Sequence, residues 1–259
     1  MRIDYCYHTH TYRCGHASGE DEEYVKRAIK LGLKRLGFSD HVMLPEGFSQ
    51  PGTRGDYSLL EDYLTSINKL KEKYKNQIEI HVGFEAEYFS EMVDYYKYLL
   101  SHGIEYMILG HHCRLKGHTF QWTITHNDPT EEMKQYTEDV INGLKTGLFK
   151  YLCHPDLFSN YNNVWNETIE FYARQILKTC EELDIPLEIN MTGYRRFHEK
   201  PDDYGYPNIN FFRLSKEYKV RYVVGVDAHK PEDFNEEDLK GVYAFIDKLG
   251  LKIEEDYKI

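Results

Sequence analysis

The sequence predicts an α/β fold, a distorted seven-stranded (β/α) barrel of TIM-like architecture, and three observations carry that expectation. Short apolar runs rich in β-branched and aromatic residues alternate with stretches of helical periodicity, the pattern of βα units around a parallel sheet. Seven such runs can be placed in the 259 residues. No linker, internal repeat or low-complexity tract divides the chain, so 1–259 reads as one domain, with a doubly wound open sheet as the runner-up.

The strands are expected at 3–8, 34–39, 78–84, 105–110, 149–153, 186–190 and 221–226. Helices are expected between and after them, near 20–32, 58–74, 90–101, 130–147, 166–183, 209–218 and 236–249. Two helix starts carry cap signals. Ser58 with Glu61 reads as a capping box, and Asp128-Pro129 with Glu131 reads as N-cap, first helical residue and third helical residue. The stretch 42–57 reads as a Gly/Pro-containing loop and 111–128 as a long polar one, both candidates for active-site loops.

Composition excludes several classes of function. With 32 basic against 43 acidic residues the net charge is −11, which gives a duplex nucleic acid or an anionic membrane no electrostatic support. No apolar run approaches the roughly 18 residues that span a bilayer. The start Met1-Arg2-Ile3-Asp4 lacks the apolar core of a signal peptide, so a cytoplasmic location is expected. The cysteines, Cys6, Cys14, Cys113, Cys153 and Cys180, are odd in number, dispersed and without a CxxC pair; neither a disulfide framework nor a thiolate zinc site is expected. The 23 tyrosines indicate amphipathic lining and specify no chemistry.

In barrels and open sheets alike, ligands gather where strands end, because one edge of the sheet collects every strand C-terminus. Each expected strand here runs into metal-ligating or phosphate-binding side chains: His8-Thr-His10, Asp40-His41, Glu85-Ala-Glu87, His111-His112, His154-Pro-Asp156, Asn190 with Arg195 and Arg196, and Asp227-Ala-His229. His8 and His10 are two apart on extended chain, so both rings point one way and can share an ion, as can Asp227 and His229. Imidazole and carboxylate without thiolate suit zinc, iron or manganese in a catalytic site. If His8, His10, His16, His41, Glu85, His112, His154, Asp227 and His229 share one cavity, two or three divalent ions must share them. A single strand-end histidine is more often a hydrogen-bonded side chain; the repetition in register is what points to metal. Spacing alone leaves Glu87 as an alternative to Glu85 and His111 as an alternative to His112. Asp40 and Asp156 read as acceptors that orient imidazoles, or as helix caps. His81, His102, His118, His126 and His198 read as structural or exposed. Arg195 and Arg196, in the loop expected after the sixth strand, would reach over the mouth of the metal site and suit a phosphate dianion, with Arg54 a weaker candidate, against the blander reading of surface arginines.

These residues resemble the polymerase and histidinol phosphatase superfamily. The resemblance rests on His8-Thr-His10, Ser39-Asp40-His41, Gly83-Phe84-Glu85, His154-Pro155 and Asp227-Ala-His229, in that order over nearly the whole chain. Leu109-Gly110-His111-His112 and Glu188-Ile-Asn190 with Gly193-Tyr-Arg195 are similar to segments of its histidinol-phosphate phosphatases. The resemblance implies a trinuclear centre and favours Glu85 and His112. It implies one metal on His8, His10, Glu85 and Asp227, a second on Glu85, His112 and His154, and a third on His16, His41 and His229. His111 departs from the family pattern and is assigned to substrate contact.

The expectation is therefore a metal-dependent phosphatase that converts L-histidinol phosphate to L-histidinol and phosphate, a step of histidine biosynthesis. The metals would neutralise the ester and activate a water to attack phosphorus in line. Catalytic assignments fall on Arg195, Asp227 and His229, and substrate contacts on Arg195, Arg196, Arg54 and His111. The partner is a small phosphomonoester; the sequence does not define an oligomeric state. Two alternatives stand beside this reading: a broader phosphoesterase acting on nucleotides or other monoesters, and a non-catalytic metal-binding regulatory module. An amide hydrolase on a similar barrel is disfavoured, since no strand end offers a lysine to carboxylate.

Overall fold

The computed structural model describes residues 2–125, 127–160, 164–199 and 205–259, with the side chains of 197–199 outside the description. His126 and the His198 side chain therefore lie outside the described residues.

Strands β1 (Tyr5–Cys6), β2 (Arg35–His41), β3 (Glu79–Ala86) and β4 (Tyr106–Leu109) pair in that order, all parallel. Beyond an antiparallel hairpin of β5 (Cys113–Lys116) and β6 (Thr119–Trp122), the parallel series resumes with β7 (Leu187–Asn190) and β8 (Tyr222–Gly225). The strand expected at 149–153 is reduced to one residue: Leu152 bridges Leu109 on one side and Leu187 on the other, both in parallel. Thr9 bridges Ala228 in parallel and joins the first strand to the last, so the sheet curls into a closed, distorted barrel.

The short pairings have a local cause. His154 and Asp227 adopt left-handed φ values of 26° and 50°, so the backbone leaves the extended region just where the fifth and last strands would lengthen. Asp184, the remaining non-glycine with positive φ among the described residues, ends a helix and is ordinary there.

The helices are α1 (Asp21–Lys30), α2 (Leu60–Tyr74), α3 (Val93–Ser101), α4 (Pro129–Lys145), α5 (Glu167–Leu183), α6 (Met191–Glu199), α7 (Ile209–Ser215) and α8 (Glu236–Leu249). Asp128 caps α4 as its sequence indicates, accepting from Glu131 N at 3.1 Å. Ser58 does not cap α2. Asp56 Oδ1 takes its backbone N–H at 3.0 Å and its hydroxyl at 2.7 Å, capping a 3-10 turn that leads into the helix. Two elements replace expected loops: the hairpin β5–β6 within 111–128, and α6, which begins directly after β7.

Buried tyrosines form much of the packing beneath the strand ends. Tyr106 Oη lies 2.8 Å from Tyr7 O and 3.0 Å from Phe38 O, so its single proton is shared between two carbonyls inside the core. Among the described residues no helix is long and apolar enough to cross a membrane.

Candidate metal centre

The C-terminal edge of the barrel gathers most of the strand-end ligands into one cavity of about 510 Å³. His10, His16, His41, Glu85, His112, His154, Asp227 and His229 line it. His8 lies beneath them, fully buried.

Glu85 is the hub. Its Oε1 lies 2.7 Å from His154 Nε2 and 3.4 Å from His112 Nε2. Its Oε2 lies 3.1 Å from His41 Nδ1, 3.4 Å from His10 Nε2 and 3.5 Å from His8 Nε2. Asp227 Oδ1 meets His10 Nε2 at 3.1 Å and His8 Nε2 at 3.4 Å. The remaining imidazoles, His16 and His229, face each other Nε2 to Nε2 at 2.9 Å, and the His10 ring stacks on His229 with centroids 4.1 Å apart.

Electrostatics prepare this edge for cations. Burial opposes charge on Glu85 and Asp227, but the surrounding imidazoles outweigh it and hold both carboxyls well below the usual carboxylate range. Burial also opposes protonation of His10, yet hydrogen bonds to Asp227 and Asp40 raise it to about 9. For His229 burial wins and pushes it down to about 3; His41 is likewise driven well below its ordinary value. Neither Glu85 nor Asp227 forms an ion pair with lysine or arginine among the described residues. Two buried anions met by imidazole nitrogens, with the neutral Asn190 Nδ2 donating to Asp227 Oδ2 at 3.1 Å, fit divalent cations. The donors also converge: His8, His10 and Asp227 form one group with ligand atoms within 4.8 Å, His8, Glu85 and His154 a second, and His10, His41 and His229 a third.

Behind the ligands stands a second layer. Glu188 Oε1 meets His8 Nδ1 at 2.7 Å, while its Oε2 accepts from His154 N and Asn190 Nδ2, each at 2.9 Å. Sequence reasoning gave Glu188 no role of its own; the signal was a carboxylate between Leu187 and Ile189 in a fully buried strand. Asp40 Oδ1 lies 3.6 Å from His10 Nδ1 and accepts from His41 N at 3.0 Å, close to its expected place. Among the described residues Asp156 forms no hydrogen bond or ion pair with an imidazole. It accepts from Asn208 N at 2.5 Å, and burial raises its carboxyl to about 7.

Three expected substrate contacts are placed elsewhere. Arg54 points into the protein, where it donates to Val42 O at 3.1 Å and to Glu87 Oε1 at 3.0 Å; that same oxygen lies 3.2 Å from His112 Nδ1. Arg54 thus supports the carboxylate that orients a candidate ligand, and Glu87, the alternative to Glu85, is part of that support. His111 turns away from the cavity, its Nε2 3.0 Å from Thr123 Oγ1 and 3.3 Å from Asp139 Oδ2. Arg195 does not line the cavity: on α6 it donates to Thr192 Oγ1 at 2.6 Å and Val226 O at 3.0 Å, bracing the turn before Asp227. The helix that replaces the expected loop sends adjacent side chains about 100° apart, so Arg196 lines the cavity and Arg195 does not.

A parallel barrel with buried imidazoles and carboxylates at its C-terminal edge defines a metal-binding α/β-barrel protein. Residues 7–192 match the PHP domain, and the chain belongs to that family. It is a PHP-family metal-dependent phosphoesterase. A relative from Deinococcus radiodurans, described as a probable histidinol-phosphatase, is 26% identical over 86% of this chain and 85% of its own. The histidinol-phosphatase of Bacillus subtilis is 26% identical over 87% of this chain and 93% of its own. The crystal structure of histidinol phosphate phosphatase from Lactococcus lactis, complexed with zinc, L-histidinol and phosphate, superposes with a TM-score of 0.71 at 17% identity, covering 96% of this chain and 95% of that one.

Proposed function

We propose that the protein hydrolyses L-histidinol phosphate to L-histidinol and inorganic phosphate, with two or three divalent ions of zinc, iron or manganese on the nine strand-end ligands. The observation that carries the reading is Glu85, whose two oxygens face two different sets of imidazoles across one buried edge. The groups assigned are His8, His10, Glu85 and Asp227; Glu85, His112 and His154; and His16, His41 and His229. When bound, the metals supply charge neutralisation at the phosphate and a nucleophile derived from water near neutral pH. Within this reading Glu85 and Asp227 remain anionic and hold the site together. Glu188 keeps the His8 Nδ1 proton and leaves Nε2 free to ligate. Arg196, on the cavity wall, donates to the phosphate dianion. The two histidinol-phosphatase relatives, aligned over most of the chain, support the choice of substrate.

The broader phosphoesterase is kept as a second reading on one observation. Outside the metal-binding floor, Arg196 is the one charged side chain among the described residues lining the cavity, and none of those residues there offers a carboxylate to the amine of histidinol. A steady-state phosphate-release assay on L-histidinol phosphate and a panel of monoesters, with metal content measured in parallel, separates the two. Preference for histidinol phosphate at two to three metals per chain supports the first; uniform rates across the panel sink it.

A further inference from the structure

The hairpin β5–β6 stands outside the barrel, yet its register ties it to the metal centre. Cys113, the residue after His112, pairs with Trp122, and Leu115 pairs with Phe120. Directly paired antiparallel residues share a face, and alternate residues return to it, so Cys113, Leu115, Phe120 and Trp122 occupy one side of the hairpin. That side is the apolar one. Cys113 is fully buried, and Leu115 and Phe120 pack against the core, with Arg54 stacked 5.1 Å from the Phe120 ring centroid. Thr119 and Gln121, on the other side, are exposed.

Trp122 breaks this pattern. It lies on the buried face but is 55% exposed, because the cavity opens beneath it. Its position is held at both ends. Thr123 N donates to His112 O at 3.0 Å, and at the turn His118 Nδ1 lies 3.1 Å from Gly47 O while its ring stacks on Phe48 with centroids 4.5 Å apart. A 55% exposed indole that lines the cavity together with Ile124 and Leu157 has an apolar wall to offer to a ligand.

We propose that Trp122 is a specificity-determining residue that stacks on a planar ring in the leaving alcohol, so that the site selects phosphomonoesters whose alcohol carries a flat heteroaromatic group. The floor takes the phosphate and the indole face covers the ring at the other end of the cavity. A π-face accepts such a ring by offset stacking and gains further if the ring or a neighbouring amine is cationic. The inference rests on the histidinol phosphate reading above and adds to it the residue that recognises the imidazole.

The test compares wild type, Trp122→Ala and Trp122→Phe on L-histidinol phosphate and on phosphoethanolamine, which keeps an amine and lacks the ring. The expected result in Trp122→Ala is a KM for histidinol phosphate raised about tenfold with kcat within about twofold, an unchanged KM for phosphoethanolamine, and substantial recovery in Trp122→Phe. Equal changes on both esters, or none, overturn the proposal. A second readout does not need turnover. The chain has two tryptophans, so zinc-loaded Trp165→Phe protein reports Trp122 alone. Saturable quenching of its emission by L-histidinol but not by ethanolamine supports the proposal, and its absence overturns it. Wild-type protein that hydrolyses all esters alike sinks the substrate reading instead, and the fluorescence titration then decides the role of Trp122.

Discussion

Glu188 Oε1 lies 2.7 Å from His8 Nδ1, with both side chains fully buried. The same carboxylate accepts the backbone N–H of His154 at 2.9 Å, so one residue orients two candidate ligands, one by its ring and one by its backbone. Glu188→Gln keeps the volume but turns an amide N–H₂ toward the donors that Oε2 accepts from, or toward His8. Zinc affinity is expected to fall roughly 10- to 100-fold, the usual cost of losing such a partner. Competition against a chromophoric chelator measures it, and unchanged affinity removes Glu188 from the site's support.

Two glycines make room for the buried carboxylates. A Cβ on Gly225 would lie 1.8 Å from Glu188 Oε1, and one on Gly110 would lie 1.9 Å from Glu85 Oε1. Neither atom can retreat cheaply, since each is fixed by imidazoles. Gly110→Ala and Gly225→Ala should each cost about 1–3 kcal/mol of stability and also lower metal stoichiometry, because relief of the clash must move a hub carboxylate. Thermal unfolding and metal analysis check the pair. An alanine protein with full metal content and an unshifted melting temperature contradicts the packing argument.

The candidate centre was legible because a parallel barrel delivers every strand end to one edge, so His8, His41, Glu85, His112, His154 and Asp227 announce themselves by position. What was hidden depended on side-chain direction. Met191 to Glu199 contains a glycine and follows β7 without a break, which reads as loop; in the fold Gly193 is needed because a Cβ there would meet the Tyr206 ring at 2.2 Å, and the segment is helical. That single difference separates Arg195 from Arg196. The hairpin was hidden because its two-residue turn, Gly117-His118, sits in a polar stretch, although Gly117 takes the left-handed φ of 61° such turns favour. Glu188 and Glu87 acquire their roles only from partners far away in the chain.

Arg54 and Glu87 form a buried ion pair at 3.0 Å with both side chains inaccessible to water, and Arg54 holds the Glu87 carboxyl down to about 2 against the opposing effect of burial. Removing one partner leaves an uncompensated buried charge. Arg54→Met is expected to destabilise the fold by roughly 3–5 kcal/mol and to weaken metal binding through His112, whereas the double variant Arg54→Met, Glu87→Leu should recover much of the stability but not the metal affinity. Urea unfolding of the three proteins checks this. If Arg54→Met keeps full stability and metal but loses phosphate affinity, Arg54 is a substrate residue after all.

The pH dependence of metal-free protein follows from imidazoles shifted in opposite directions. His10 is raised from its ordinary 6.5 to about 9, so its contribution to stability is fully present below pH 6.5 and is lost as pH rises through about 9. His8 and His112 shift the same way. His229 is depressed to about 3, so its contribution is present above pH 6.5 and is lost as pH falls from there toward 3. His16 and His41 join it, while Asp156, raised to about 7, opposes them over part of that range. The melting temperature of chelator-stripped protein is therefore expected to pass through a maximum near pH 6.5 and decline on both sides. Zinc changes the alkaline limb. Ligation needs neutral imidazole, so a metal must displace the proton that His10 keeps up to about pH 9, and apparent zinc affinity should strengthen as pH rises toward that value. The stabilisation added by a fixed excess of zinc grows with that affinity and should be larger near pH 8.5 than near pH 6. Calorimetric scans of stripped and zinc-loaded protein across this range measure both effects. A stripped protein whose melting temperature keeps rising through pH 9 contradicts the raised His10, and a zinc increment independent of pH removes the imidazoles from the ligand set.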